Sequence, residues 1–326
     1  MKIETKDKYI YITKGDLDIV LSCLGASIVE IKYNDDLLTL TPVKYDDLDR
    51  EDIYYGKTIG PIANRVKDGL VKIGNRNYYL PLNEESVSNH SGKSGLSNKL
   101  FDVRIDNNKV VFTYKDHVFD SNVTYKVIYS FSKDNEIRID YEVTTTDKVV
   151  LSITNHTFFT LGEDGIDNLF LKISADKYIE SDEDTLVPQS IKPIIDCLDF
   201  NEEKLIIKDI NDPYLMNHKS KGYDHCFLLN KKVTKLNSSK YSLTISSDFP
   251  CLHIYSDNYC DGVLVKNTNL TFRRAVAIEP EDNLLEKTLI NKDEIYHRYI
   301  TYTFFKEVDS EIKLSKPLKK KGYNLQ

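Results

Sequence analysis

The chain has 326 residues, 40% of them hydrophobic, and a formal net charge of −7. That apolar share suffices for a sizeable core, and mild acidity argues against a nucleic-acid partner, which needs clustered Lys and Arg to meet phosphates. No segment approaches the ~20 apolar residues of a membrane span.

The chain opens Met1-Lys2-Ile3-Glu4-Thr5 with no apolar stretch of the kind a signal peptide needs. Its five cysteines, Cys23, Cys197, Cys226, Cys251 and Cys260, are odd in number, irregularly spaced and without a CxxC pair. A reducing, cytoplasmic setting is expected, with the cysteines acting as small buried hydrophobes.

Gly60-Pro61-Ile62-Ala63-Asn64-Arg65 sets a turn and follows it with a guanidinium, whose planar fork suits two adjacent sugar hydroxyls or a surface carboxylate. A Gly-Asn turn lies within 73–77. Asn89-His90-Ser91-Gly92 opens a polar loop that lacks the strand and helix context of a phosphate-binding loop. His90 is either a ligand donor or an exposed loop residue. Residues 110–114, 123–131 and 137–143 alternate apolar and polar side chains, and turn signals at 106–108 and 133–135 separate them. Thr154-Asn155-His156 then sits between an apolar strand and Phe158-Phe159. A half-buried His there can titrate near neutrality as a general acid or base, or be a satisfied core residue.

Residues 201–205 and 283–289 can each form one short turn. Tyr223-Asp224-His225 precedes an apolar run, so Asp224 either accepts from sugar hydroxyls or caps a strand. Residues 241–245, 252–255 and 300–304 read as further half-buried strands, with a turn at 237–239. Ile278-Glu279-Pro280 puts a carboxylate at the end of an apolar strand, where it must be paired or functional. Desolvation there makes a better base. Glu281 and Asp282, beyond the proline, are expected in solvent. A basic tail from about 310 (Lys313, Lys316, Lys319, Lys320 and Lys321) reads as a solvated terminus.

Period two dominates, loops are short, and long helical periodicity is nearly absent. The expectation is an all-β chain, one large antiparallel β-sandwich domain over 1–326, with two tandem sandwiches as the alternative. Metal-ligand spacing, a GxSxG elbow and Gly-rich nucleotide motifs are absent from the sequence.

Taken jointly, Ala63-Asn64-Arg65, His90 with its following glycine, Thr154-Asn155-His156 with Phe158-Phe159, Tyr223-Asp224-His225 and Ile278-Glu279-Pro280 resemble the aldose 1-epimerase (galactose mutarotase) family over about residues 15–305. The resemblance implies the galactose mutarotase-like supersandwich. It implies Glu279 as general base and His156 as general acid, with His90 sharing the catalytic load. It implies Arg65 and Asp224, with Asn64 beside them, as the groups that bind the sugar. The substrate would be a monosaccharide, free or phosphorylated. Neither metal nor cofactor would be needed, and the chain would act as a monomer or homodimer. Two departures stand out: His90-Ser91-Gly92 where many members have His-Gly-Gly, and Glu279-Pro280 where many have Glu-Thr. The Glu-Pro form resembles a divergent branch, the LacX-like proteins among them. Two other classes compete. A non-catalytic sugar-binding sandwich would leave the acid/base pair idle. A glycosidase would rely on two carboxylates, here Glu279 and Asp224, and leave His156 without a task.

Overall fold

The computed structural model describes residues 1–307, so the basic tail lies outside the described residues. Strands dominate. The alternating segments read from the sequence form the centre of a nine-stranded antiparallel sheet. Ser121–Ser130 shows why: Val123, Tyr125, Val127 and Tyr129 are buried while the residues between them are exposed or half-buried. It pairs with Lys109–Val118 and Glu136–Thr145, and the sheet continues through Ile295–Lys306 and Tyr241–Ser247. The turn at 133–135 makes the tight connection that this order requires.

A six-stranded antiparallel sheet carries Asp224–Leu229, Cys251–Tyr255 and Val276–Glu281 as neighbours. One of its faces, with Phe227, Ile254 and Ile278, joins the main hydrophobic core. Phe159, in a strand of this sheet, packs edge-on against Tyr302 of the nine-stranded sheet at 5.2 Å between ring centres. The other face presents Asp224, Cys226, His253, Glu279 and Glu281, because successive strand residues point to opposite sides. A five-stranded sheet formed by the first 37 residues completes the packing.

Three expectations fail here. Glu281 and Asp282 are buried, not solvated. The Val276–Glu281 strand runs through Pro280, because the neighbour that would need a Pro280 N–H, Phe158–Phe159, reaches only Val276 and Ala277. Cys260 is exposed, unlike the other four cysteines. The turn expected at 201–205 is instead the short strand Lys204–Leu205, and at 283–289 a hydrogen-bonded turn leads into Thr288–Ile290. Among the described residues no helix is long and apolar enough to cross a membrane.

Candidate active site

The polar face of the six-stranded sheet is the floor of a cavity of about 650 Å³. Asn64, Arg65, His90, His156, Asp224 and Glu279, drawn from five separate chain segments, all line it.

A short ladder between Arg65–Lys67 and Val87–Asn89 brings the first two segments together. Just beyond its end, Asn64 and His90 both take left-handed backbone conformations, with φ of 64° and 54°. Asn tolerates that region, whereas His adopts it rarely and at some cost. Reciprocal hydrogen bonds hold the pair. The His90 N–H donates to the Asn64 carbonyl, and the Asn64 N–H donates to His90 Nδ1, both at 3.1 Å. The His90 proton therefore sits on Nε2, leaving that nitrogen as a donor. Burial, aided by the nearby His156 and Arg65, keeps this ring neutral.

Arg65 is not a free fork. Its Nε donates to Glu84 at 2.8 Å and its Nη1 to Asp224 at 3.3 Å. Glu84 also accepts from the Asn89 amide at 2.7 Å. Burial alone would raise the Asp224 carboxyl, but Arg65 and His253 outweigh it and hold it well below the usual carboxylate range. His253 links the two halves of the floor. The Asn64 amide donates to its Nδ1 at 3.1 Å, and its Nε2 donates to Asp224 at 2.7 Å.

His156 is fixed through its backbone. Its N–H donates to the Lys57 carbonyl at 3.0 Å, and the Gly56 N–H donates to its carbonyl at 2.8 Å. The Asn155 amide donates to the Gly56 carbonyl at 2.9 Å. Its ring is stacked against Tyr54 and lies against Phe158, with centres 5.8 Å and 4.9 Å away. His156 Nε2 lies 3.4 Å from Glu279 Oε1. Both side chains are almost fully buried. Burial, with a smaller push from Glu281 and Asp224, lifts the Glu279 carboxyl well above its ordinary value. Burial lowers His156 to about 3. A carboxylate so destabilised is a strong base, and an imidazolium so destabilised is a strong acid.

His225 does not join the cavity. It lies on the opposite face from Asp224, near Tyr214 and His218, as strand alternation requires. Sequence reasoning missed Tyr54, Glu84 and His253 as lining residues. His253 left a readable trace: a polar residue inside the apolar run Leu252-His253-Ile254. Tyr54 and Glu84 left none, because neither interrupts a pattern.

A family model described as Aldose 1-epimerase matches residues 8–303. Among named relatives, the aldose 1-epimerase of Haemophilus influenzae is 28% identical over 260 residues, covering 74% of this chain and 75% of that protein. The galactose mutarotase of Mus musculus is 27% identical over 226 residues, 65% of this chain, and the match spans 64% of the mouse protein. Among solved structures, a galactose 1-epimerase from Lactobacillus acidophilus superimposes with a TM-score of 0.81 at 24% identity, covering 94% of this chain and 98% of that one. A GalM/aldose epimerase homologue from C. elegans gives 0.78 at 23% identity, with 90% and 97% covered. The fold is thus the galactose mutarotase-like antiparallel β-sandwich.

Proposed function

The chain belongs to the aldose 1-epimerase family, and from that premise we propose that it interconverts the α and β anomers of a free aldohexose such as galactose or glucose. The observation that carries the reading is the buried His156–Glu279 contact at 3.4 Å on the cavity floor. The pair shares one proton across its 3.4 Å contact, and in the reacting form Glu279 is ionised and His156 carries that proton. Glu279 removes the proton from the C1 hydroxyl. His156 gives its own to the ring oxygen, the C1–O5 bond opens, and the aldehyde forms. Rotation about C1–C2 presents the other carbonyl face. Reclosure runs both transfers backwards, so protons balance over the cycle. His90, whose Nε2 carries its proton, is a second donor for the ring oxygen.

Asp224, ionised and anchored by Arg65 and His253, accepts from sugar hydroxyls, and Asn64 and Arg65 complete the frame that sets C1 between base and acid. The cavity lining supports a neutral ring over a phosphorylated one. Its cations are Arg65, already paired twice, Lys219 and Lys221, against seven carboxylates. The five cysteines without a disulfide suit a reducing, cytoplasmic setting.

The test is anomeric proton NMR or polarimetry on fresh α-D-galactose and α-D-glucose with the purified protein. Equilibration should outrun the buffer reaction. Glu279→Gln should slow it by about 10²–10⁴-fold, the usual contribution of one placed base, while circular dichroism stays unchanged. Near wild-type turnover in that variant would remove Glu279 from the mechanism. Sugar binding without any acceleration would favour a binding protein.

A further inference from the structure

Beside the cavity, on the same face of the six-stranded sheet, three neighbouring strands bring together Cys226, His253 and Glu281. Cys226 pairs across from His253, and His253 across from Glu279, two residues before Glu281 on the same face. A sulfur, a ring nitrogen and a carboxylate oxygen from these three side chains lie within 4.8 Å of one another. All three are buried, with exposures of 2%, 6% and 0%. We propose that they form a binding site for one thiophilic divalent cation of the Zn²⁺ type, which the anomer-exchange reading does not use.

Three features carry this assignment. First, neither oxygen of Glu281 makes a well-formed hydrogen bond among the described residues, with the Cys226 thiol and the Asn64 amide approaching it only as weak donors. A buried carboxyl left that way is costly unless something else satisfies it. Second, His253 is already set as a ligand. Its Nε2 donates to Asp224 at 2.7 Å, so Nδ1 is the unprotonated nitrogen; it accepts from the Asn64 amide at 3.1 Å and lies 3.6 Å from Glu281 Oε1. A metal-binding imidazole almost always gives its other N–H to a carboxylate in this way. Third, the charges match. A thiolate and a carboxylate neutralise a dication, so the filled site is uncharged in its buried surroundings. On binding, the protons held by the Cys226 thiol and the Glu281 carboxyl pass to solvent, as metal uptake by protonated ligands requires.

Sulfur, nitrogen and oxygen donors at Zn²⁺ distances of about 2.0–2.3 Å sit roughly 3.3–3.8 Å apart, so the widest of these separations must close by ~1 Å. The fourth position falls to a water or to Cys251, which is buried and pairs across from Glu281. Access runs through the cavity, since His253 is part of its lining. Occupancy draws His253 Nδ1 away from the Asn64 amide, and the backbone of Asn64 holds His90. The cation therefore bears on the sugar site without touching it.

The experiment is isothermal titration of Zn²⁺ alone into the full chain carrying Cys260→Ser, which removes the exposed thiol. One ion per chain is expected. Co²⁺ in its place should give a thiolate-to-metal charge-transfer band in the near ultraviolet. Cys226→Ser should abolish that band. Glu281→Gln, close to isosteric, should weaken binding by more than about 100-fold, beyond the range seen for outer-shell partners. Circular dichroism checks that both variants fold. Absence of stoichiometric uptake by the parent chain overturns the site, as does unchanged affinity in both variants.

Discussion

Arg65 shows how much a single side chain's task depends on partners remote in sequence. Its fork is clamped between Glu84 and Asp224, which lie 19 and 159 positions away. The clamp fixes Asp224, and Asp224 fixes His253, so Glu84 positions groups that it does not touch. Replacing Glu84 by Gln removes the charge while keeping an acceptor for the Asn89 amide. The expected outcome is a rise in KM of about tenfold, equivalent to ~1.4 kcal/mol, with kcat nearly unchanged; steady-state anomer exchange by NMR measures both. A comparable fall in kcat would instead put Glu84 in the chemical step. At this scale the sequence was legible wherever a polar group broke an apolar run, as at His156 and Glu279. Glu281 was not legible, because Pro280 signals the end of a strand and only the sheet shows that the strand continues past it.

Among the elements, the shortest ones build the site. His156 is held by Thr154–Asn155 paired with Thr58–Ile59, only two residues on each side. Gly56, next to that pair, has φ of 63°, and a Cβ there would lie 1.7 Å from the Ile28 carbonyl oxygen. Backbone strain and collision act together, so Gly56→Ala should cost at least about 2 kcal/mol of stability. The backbone bond from Gly56 to His156 should loosen with it. Thermal melting should register the first effect. The second should appear as a lower kcat at temperatures where the variant is still folded. Period-two patterning located the long strands because each is ten or so residues with one face in the core. Two-residue ladders carry no such period. Their pairing is set by contacts across about a hundred positions, which local sequence does not encode.

For the molecule as a whole, Lys57 carries a stability cost. It is fully buried, and its ammonium donates to the Arg50 carbonyl at 3.1 Å. Burial lowers its pKa from an ordinary 10.5 to about 8, against the pull of Asp49 and Asp52. The unfolded chain thus holds more protons than the folded one between about pH 8 and 10.5. Stability should therefore rise with pH through that window. Lys57→Met should gain about 1–3 kcal/mol below pH 8 and flatten the rise, since one pKa unit corresponds to ~1.4 kcal/mol. Urea melts at pH 7 and pH 10 measure this, and equal pH dependence in both proteins would reject it. The all-β class and the sandwich were readable from composition and alternation. The division of labour between the sheets was not, because it depends on which face of each sheet is left uncovered.

That division has a consequence for how the protein can change. Among the described residues, none in the strands of the nine-stranded sheet lines the cavity. Tyr302 reaches only the underside of the site, where its hydroxyl donates to Asn155 at 3.3 Å. Selection on the chemistry and selection on durability therefore act on different stretches of the chain. The large sheet is free to drift, or to be redesigned for heat or solvent tolerance, so long as it keeps its alternation and its contact with Phe159. Catalytic specificity can evolve independently on the loops and on the three strands opposite.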